Sequence, residues 1–322
     1  MEKERELLPH ISAVMPVQNG MQFLKRSRTK IDQVLMPGDE LIVIDDGSTD
    51  GTYNFLKLWE KENSQVRVIK KRSSGLIDAL TLGIKESKHS WFARLDVDDV
   101  YPREKFLKQK RMIRESVGAI FSDYEFIDQN NNVIGMLASP IESHATSISL
   151  VNGLRTPHPS ALVSKDVYFS VGGYRNDDHL VEDLSLWLRM TRESQLISVP
   201  EVLLSYTLHG NSVSVLRRTE MQRNKRNILK SIGISKSDID YCFEFPSNLL
   251  DLYSKTNFAN QRKITFIHDL LTLYKYGFLN RCFSIKNMNS LRKEIFRIEI
   301  GEDIYKLVME QKARNLVRNL KM

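Results

Sequence analysis

Three aspartates, Asp96, Asp98 and Asp99, stand close together directly after an apolar run that begins at Trp91. Carboxylates this close repel one another unless a cation lies between them. Oxygen ligands suit hard divalent cations, so a metal site is the chemistry that this cluster best predicts. A solvated acidic loop is the alternative, because Asp-x-Asp is a common pattern.

A second acidic pair, Asp45 and Asp46, ends the apolar run at residues 40–44 and is followed by turn residues. In open α/β sheets, side chains at the carboxyl ends of the strands face the crevice where ligands bind. A helix N-cap at residues 48–50 explains part of this segment. It leaves the two acids unexplained, so we predict that they contact a ligand.

A third acidic pair, Glu182 and Asp183, begins a helical pattern in which Leu184, Trp187 and Leu188 share the apolar side. The helix dipole stabilises acidic residues in the first turn of a helix. A purely structural role for this pair is therefore as well founded as a functional one.

Strand and helix patterns alternate along the first hundred residues and position the acids. This alternation predicts a mainly parallel sheet flanked by helices, with the first two acidic groups on one sheet edge. The predicted strands are at residues 10–17, 40–44, 66–69 and 91–95, and helices at 21–35, after 52 and at 76–86 connect them.

Further along the chain the patterns are more mixed. We predict a helix that starts at Pro102, two paired strands, a segment that is either a flap or a loop, and two closing strands. The paired strands are at residues 119–124 and 133–136, the unpatterned segment at 139–157, and the closing strands at 197–200 and 202–206.

The charge of the 322-residue chain is unevenly distributed. Residues 216–322 contain 21 lysines and arginines against 11 aspartates and glutamates, whereas residues 1–215 contain 26 against 29. We predict an α/β domain at residues 1–215 and a basic, mainly helical region at residues 216–322. Basic amphipathic helices usually pack on the protein body, and an anionic membrane surface is the alternative. Nucleic acid is not an expected partner, because no motif that reads it is present.

The two cysteines, Cys242 and Cys282, are far apart and do not form a metal-binding or disulfide pattern. The N-terminus lacks the apolar segment of a signal peptide, and no apolar run reaches the roughly 18 residues that span a bilayer. We therefore expect a cytoplasmic protein, with a peripheral position on the inner face of the membrane as an open addition.

Five segments together resemble the motif series of the family 2 glycosyltransferases with a GT-A fold. The resemblance covers residues from about 11 to 214, and its motifs are at residues 16–20, 45–50, 95–99, 172–175 and 182–189. It implies a Rossmann-like catalytic domain and an inverting, metal-dependent enzyme of bacterial surface-polysaccharide type. The implied reaction moves one sugar from a nucleotide-sugar donor, expected to be UDP-linked, to a hydroxyl of a glycan or lipid-linked saccharide.

The resemblance also implies roles for individual residues. Donor contacts are implied for Pro16, Val17, Asn19, Asp45 or Asp46, and Asp96, and a Mg²⁺ or Mn²⁺ ion for Asp98 and Asp99. Asp183 is implied as the general base, with Glu182 and Trp187 on the acceptor side. His209 is implied as a metal or phosphate contact, and a structural histidine is the alternative.

The chain departs from the family pattern at Gln18, where an aromatic residue is usual, and at Thr207, where arginine is usual. It lacks the Q-x-x-R-W signature and membrane helices of the processive members, which favours transfer of a single sugar per encounter. A calcium loop is excluded because Tyr101 and Leu107 occupy positions that require glycine and glutamate. A nucleotidyltransferase and a non-catalytic nucleotide-sugar or glycan-binding partner in a membrane-associated assembly complex remain alternatives.

Overall fold

Strands with almost continuous burial form the centre of the molecule in a computed structural model, which describes residues 8–137, 139, 143, 146, 150, 156–209 and 216–231. They belong to one eight-stranded sheet in the order β3-β2-β1-β4-β7-β5-β6, and β8 pairs with β5. The strands are β1 Ser12–Val17, β2 Glu40–Asp46, β3 Val66–Lys71, β4 Trp91–Arg94, β5 Val117–Ile127, β6 Val133–Leu137, β7 Leu162–Ser164 and β8 Gln195–Thr207.

Seven helices of the described residues connect and flank these strands. They are α1 Met21–Val34, α2 Thr52–Glu62, α3 Leu76–Glu86, α4 Lys105–Lys110, α5 Lys165–Ser170, α6 Glu182–Met190 and α7 Arg218–Ser231. Short 3₁₀ turns lie at His158–Ser160 and Asn176–Asp178.

The strands β1 to β4 pair in parallel, which confirms the predicted α/β class. In the register of β1 and β2, Val17 lies opposite Asp45, so the first two motifs leave the sheet side by side. Strand β7 is antiparallel to both of its neighbours, β4 and β5, and β6 is also antiparallel to β5. Strand β8 runs parallel to β5.

Alternate residues of β1 pack on opposite faces of the sheet, as the two-residue period of a strand requires. Ala13 and Met15 join a core with the apolar sides of α1 and α2, which include the fully buried Trp59. Val14 belongs to a second core, which contains Trp187 of α6. Helices therefore cover both faces of the sheet.

The closing part of the sheet differs from the prediction of two separate strands. β8 is one strand of 13 residues, and its register shifts so that Ser122 lies opposite Val199 and Asp123 opposite Val202. The extra residues on β8 include Pro200, which has no N–H to donate to a neighbouring strand. The bulge therefore accounts for the break that the sequence pattern showed.

The chain divides into two compact units, Met1–Ile234 and Ser235–Met322. Helix α7 belongs to the first unit, and the second unit lies outside the described residues. Most of the unpatterned segment at 139–157 also lies outside them. The predicted division at residue 215 and the helical character of residues 232–322 stay predictions. No helix within the described part of the chain has the length and hydrophobicity that crossing a membrane requires.

Candidate active site

The loops after β1 and β2 are tied together by hydrogen bonds. The Asn19 N–H donates to Ser48 Oγ (2.9 Å), and the Thr49 N–H donates to Asn19 Oδ1 (2.9 Å). The Gly20 N–H donates to Thr52 Oγ1 (2.9 Å). Asn19 adopts a left-handed φ of 51°, which asparagine tolerates better than most residues. The first two motifs thus form one rigid wall of the site.

Asp46 organises the loop between β3 and α3. Its carboxylate accepts hydrogen bonds from Lys71 Nζ (2.7 Å) and from the backbone N–H groups of Ser74 (3.0 Å) and Gly75 (2.9 Å). Burial raises the pKa of Asp46, but these donors outweigh it and lower the pKa below its ordinary value. The Gln18 side chain donates to the Asp46 carbonyl oxygen (3.0 Å). The oxygens of Asp46 are therefore already occupied.

Asp45, unlike Asp46, has carboxylate oxygens that accept no hydrogen bond from the described residues. Its side chain is fully buried. Buried acceptors without a partner cost free energy, which a donor group supplied by a ligand would recover. Asp45 is thus the member of the second acidic pair with free hydrogen-bonding capacity.

The carboxylate oxygens of Asp96, Asp98 and Asp99 converge within 4.8 Å of one another. Asp99 is 2% exposed; its Oδ1 accepts from the Thr207 N–H (2.9 Å), and its Oδ2 is buried with no partner in the described structure. Burial raises the pKa of Asp99 well above its ordinary value, and the neighbouring charges of Asp98 and Asp96 raise it further. A divalent cation would relieve this repulsion, so the donor set fits a metal.

The end of β8 brings His209 to this cluster. His209 Nε2 lies 2.8 Å from Asp98 Oδ2, and its ring centroid is 5.1 Å from that of Phe23. Thr207 Oγ1 donates to the Asp98 carbonyl oxygen (2.5 Å). The structure therefore places His209 beside a predicted metal ligand, with Thr207 bracing the backbone of the cluster.

Arg94 links the acidic cluster to the opposite side of the site. Its Nε and Nη2 lie 3.0 and 2.9 Å from Asp96 Oδ1. Its Nη1 contacts His158 Nδ1, and because arginine can only donate, Nδ1 must be the acceptor. His158 then carries its proton on Nε2, 2.5 Å from Tyr174 Oη.

His158 is held as a neutral ring at the centre of this network. Burial lowers its pKa well below the ordinary value, and the charge of Arg94 lowers it further. Its Nδ1 is also 3.9 Å from Glu182 Oε1. The network thus runs from Asp96 through Arg94 and His158 to the start of α6.

Glu182 and Asp183 lie in the first turn of α6. Burial raises the pKa of Glu182 to about 7, with a second contribution from the charge of Asp183. Burial also raises the pKa of Asp183, while Lys225 and the Leu184 N–H, 2.7 Å from Asp183 Oδ1, oppose that rise. Both carboxyls thus bind a proton more readily than ordinary acidic side chains do, which suits a group that accepts protons.

Trp187 lies beneath the site with no exposed surface. Its ring packs edge-on against Phe121 (5.0 Å between centroids) and His158 (5.8 Å). Its predicted acceptor-side role stays a prediction, and its contact with the network passes through His158. Val17 is likewise buried, and Pro16 is half-buried at the end of β1.

Several residues of the site received no role from sequence. Tyr174 lies within the motif at residues 172–175 without a role of its own, and nothing in the sequence distinguishes His158 or Lys225. A charged residue inside an apolar strand was the one available signal for Arg94, since burial of an arginine requires a partner.

The sequence profile of the family described as Glycosyl transferase family 2 matches residues 12–168. An uncharacterized glycosyltransferase of Haemophilus influenzae is 23% identical over 320 residues, covering 92% of this chain and 99% of that relative. TuaG of Bacillus subtilis, named as a glycosyltransferase of teichuronic acid biosynthesis, is 23% identical over 64% of this chain and 82% of its own length.

Solved structures share the fold. The mannosyltransferase PcManGT from Pyrobaculum calidifontis, in complex with GDP-Man and Mn²⁺, matches with a TM-score of 0.55 at 14% identity, over 98% of this chain and 88% of its own. TarS from S. aureus, in complex with UDP-GlcNAc, matches with a TM-score of 0.56 at 11% identity, over 87% and 77%. At these identities the likeness establishes the GT-A fold.

Proposed function

Because this chain is a family 2 glycosyltransferase, we propose that it moves one sugar from a nucleotide-sugar donor to a hydroxyl group of a glycan or lipid-linked saccharide. A UDP-linked sugar is the expected donor. The observation that carries the proposal is the network in which Arg94 joins the Asp96, Asp98 and Asp99 cluster to the start of α6. This network supports the proposal because it links Asp96 to Glu182, which is the neighbour of the proposed base.

Asp98 and Asp99 are the proposed ligands of a Mg²⁺ or Mn²⁺ ion, with His209 as a further ligand or a brace for Asp98. The convergence of the three carboxylates and the unpartnered Oδ2 of Asp99 support this assignment. When bound, such an ion neutralises the negative charge that develops on a leaving diphosphate. Asp96, held by Arg94, is proposed to contact the donor near its ribose.

Asp45 is the proposed contact for the nucleotide base, because its oxygens have no other partner among the described residues. Asp46 acts instead on the loop at residues 73–75, through Lys71 and two backbone N–H groups. Pro16, Val17 and Asn19 shape the adjacent wall.

Asp183 is the proposed general base. It accepts the proton of the acceptor hydroxyl as the oxygen attacks the anomeric carbon and the bond from that carbon to the nucleoside diphosphate breaks. A single displacement of this kind inverts the configuration. Glu182 is directed toward His158 and Arg94, so it is proposed to tune the base and not to replace it. The raised pKa of Asp183 strengthens it as a proton acceptor at neutral pH.

The proposed acceptor is a growing surface glycan or a lipid-linked saccharide, in keeping with the role in the name of the Bacillus subtilis relative. A cytoplasmic location, peripheral to the inner face of the membrane, is part of the same proposal. A nucleotidyltransferase needs the metal cluster but not Asp183. Replacement of Asp183 should therefore impair sugar transfer and leave nucleotidyl transfer intact.

A thermal-shift screen tests the donor. The full chain is heated with UDP-, GDP- and dTDP-sugars in Mn²⁺, Mg²⁺ or EDTA, because a ligand that binds only the folded state raises its apparent stability. We expect a UDP-sugar to raise the Tm in the presence of metal, and Asp98→Asn to remove that rise. Release of the nucleoside diphosphate from the same donor then tests transfer. Binding without turnover by the wild-type chain, with acceptor glycans supplied, would favour the non-catalytic alternative.

A further inference from the structure

Helix α7 packs against the loop that leads into α6. Asn224 Nδ2 donates to the His179 carbonyl oxygen (2.9 Å), and Arg217 Nη1 lies 2.9 Å from His179 Nε2. Leu229, 1% exposed, buries the inner side of the helix. Because His179 is only four residues before Asp183, these contacts hold α7 beside the start of α6.

Lys225 follows Asn224 on this helix, and its ammonium group interacts electrostatically with Asp183. Burial lowers the pKa of Lys225, and the charge of Asp183 opposes that change. Within the described part of the chain, Lys225 makes no hydrogen bond or ion pair with another group. Asp183 is thus the acidic group whose charge acts on this half-buried lysine.

The other titratable and charged groups around Asp183 belong to other parts of the chain. Arg94 of β4 also lowers the pKa of Asp183, but less than Lys225 does. Arg94 is itself bonded to Asp96 and contacts His158. The groups that face Asp183 or its neighbour Glu182 are Arg94 and Asp96 at the end of β4, His158 in the 3₁₀ turn, Tyr174 in the loop after α5, and Lys225 of α7. Lys225 is the cation in this set that no other described residue engages.

We infer that Lys225 is a positioning residue that keeps Asp183 in its charged form for proton transfer. The inference rests on the proposed role of Asp183 as the base. It also extends the acceptor side of the site to α7, beyond the residues matched by the family profile, which end at 168. Burial alone would favour protonated Asp183, and a nearby ammonium favours the carboxylate.

Carboxyl ¹³C NMR of the full chain, labelled selectively in aspartate, tests the inference without a substrate. Asp183→Asn identifies the resonance of Asp183, and the signal is then followed as a function of pH. We expect Lys225→Met to raise the pKa of Asp183 by about one unit, the lower end of the effect of a nearby opposite charge. Lys225→Arg should retain the wild-type value, as should Lys230→Met, which removes an exposed lysine from the same helix.

An unchanged pKa of Asp183 in Lys225→Met would overturn the inference. Thermal unfolding verifies that Lys225→Met folds. If Lys225→Met is unfolded, the same titration is made on Lys225→Gln. In turnover assays, the acidic limb of the pH profile should move upward while the rate at high pH is retained. A merely structural role would lower the rate equally at every pH. Full turnover by Asp183→Asn would refute the proposed base and leave the titration result intact.

Discussion

At the scale of single residues, the site is a set of buried charges divided between the proposed donor side and the proposed acceptor side. Arg94 connects the sides, because it bonds Asp96 and contacts His158, which in turn lies 3.9 Å from Glu182. Neutral His158 adds no charge of its own, so the balance depends on the carboxylates and on Arg94 and Lys225. A change in one charge should therefore alter the ionisation of the others.

Replacement of Asp183 by Asn should separate chemistry from donor binding. An amide cannot accept the acceptor proton, so we expect turnover to fall by about 10² to 10⁴-fold, the usual contribution of a general base. The Kd for the nucleotide-sugar donor with Mn²⁺, measured by calorimetry, should stay near the wild-type value. Asp177→Asn, a change at an exposed neighbouring position, is the control and should leave both unchanged.

The pH profile should report the pair Glu182 and Asp183. Because the folded protein raises the pKa of both carboxyls, the base is charged above the raised pKa and is lost as pH falls through it. Turnover should therefore decline as the pH falls through the raised pKa of Asp183, which lies above the ordinary range of an aspartate. Glu182→Gln removes the neighbouring negative charge, which lowers the pKa of Asp183, so the acidic limb should move to lower pH. A limb that moves upward or stays fixed would contradict the coupling.

At the scale of elements, the short helix α4 lies between the acidic cluster and the 3₁₀ turn that carries His158 and is bonded to that turn. Lys105 Nζ donates to the carbonyl oxygens of Pro159 (3.3 Å) and Ser160 (3.1 Å), next to His158. Gln109 Nε2 donates to the Ser160 carbonyl oxygen (2.8 Å). α4 follows the acidic cluster in sequence, so these bonds connect the cluster to the turn that carries His158.

The far end of α4 is anchored by a buried ion pair. Lys110 Nζ lies 2.5 Å from Asp39 Oδ1, and both side chains are almost fully buried. Removal of one partner from a buried pair leaves an uncompensated charge and typically costs about 3–5 kcal/mol. We expect Lys110→Met to lower the free energy of unfolding by that amount in urea denaturation. Lys108→Met breaks a partly exposed pair with Glu201 and should cost less than about 1 kcal/mol. Equal effects of the two variants would refute the role of burial.

At the scale of the whole molecule, the distribution of charge sets the C-terminal region apart. Residues 216–231 alone contain six lysines and arginines against one glutamate. Within this stretch Lys225 is half-buried and is the residue proposed to stabilise charged Asp183, whereas Arg223 and Lys230 are exposed. The basic residues of this stretch therefore lie in at least two environments, one beside the candidate site and one on the exposed surface.

Vesicle sedimentation tests the predicted membrane partner. We expect the full chain to sediment with vesicles that contain anionic lipid and not with neutral ones, and the bound fraction to fall as salt rises, because surface charges are screened. A chain that ends at residue 215 should lose this binding. Equal binding to neutral vesicles, or full binding by the shortened chain, would refute the electrostatic attachment through residues 216–322.

The sequence by itself determined the alternation of strands and helices, the GT-A class and the three acidic groups. The alternation depends on apolar periodicity and turn residues, which are local properties, whereas the GT-A class was implied by the resemblance of five motifs to a known family. The tertiary structure alone decided how the acids within each group differ. Asp46 accepts a hydrogen bond from Lys71, whereas the carboxylate oxygens of Asp45 have no hydrogen-bond partner among the described residues. Asp99 is the most buried acid of its cluster. Their partners are distant in sequence, since His209 and Asp98 are 111 residues apart. Burial and hydrogen bonding at that separation exist only once the chain has folded.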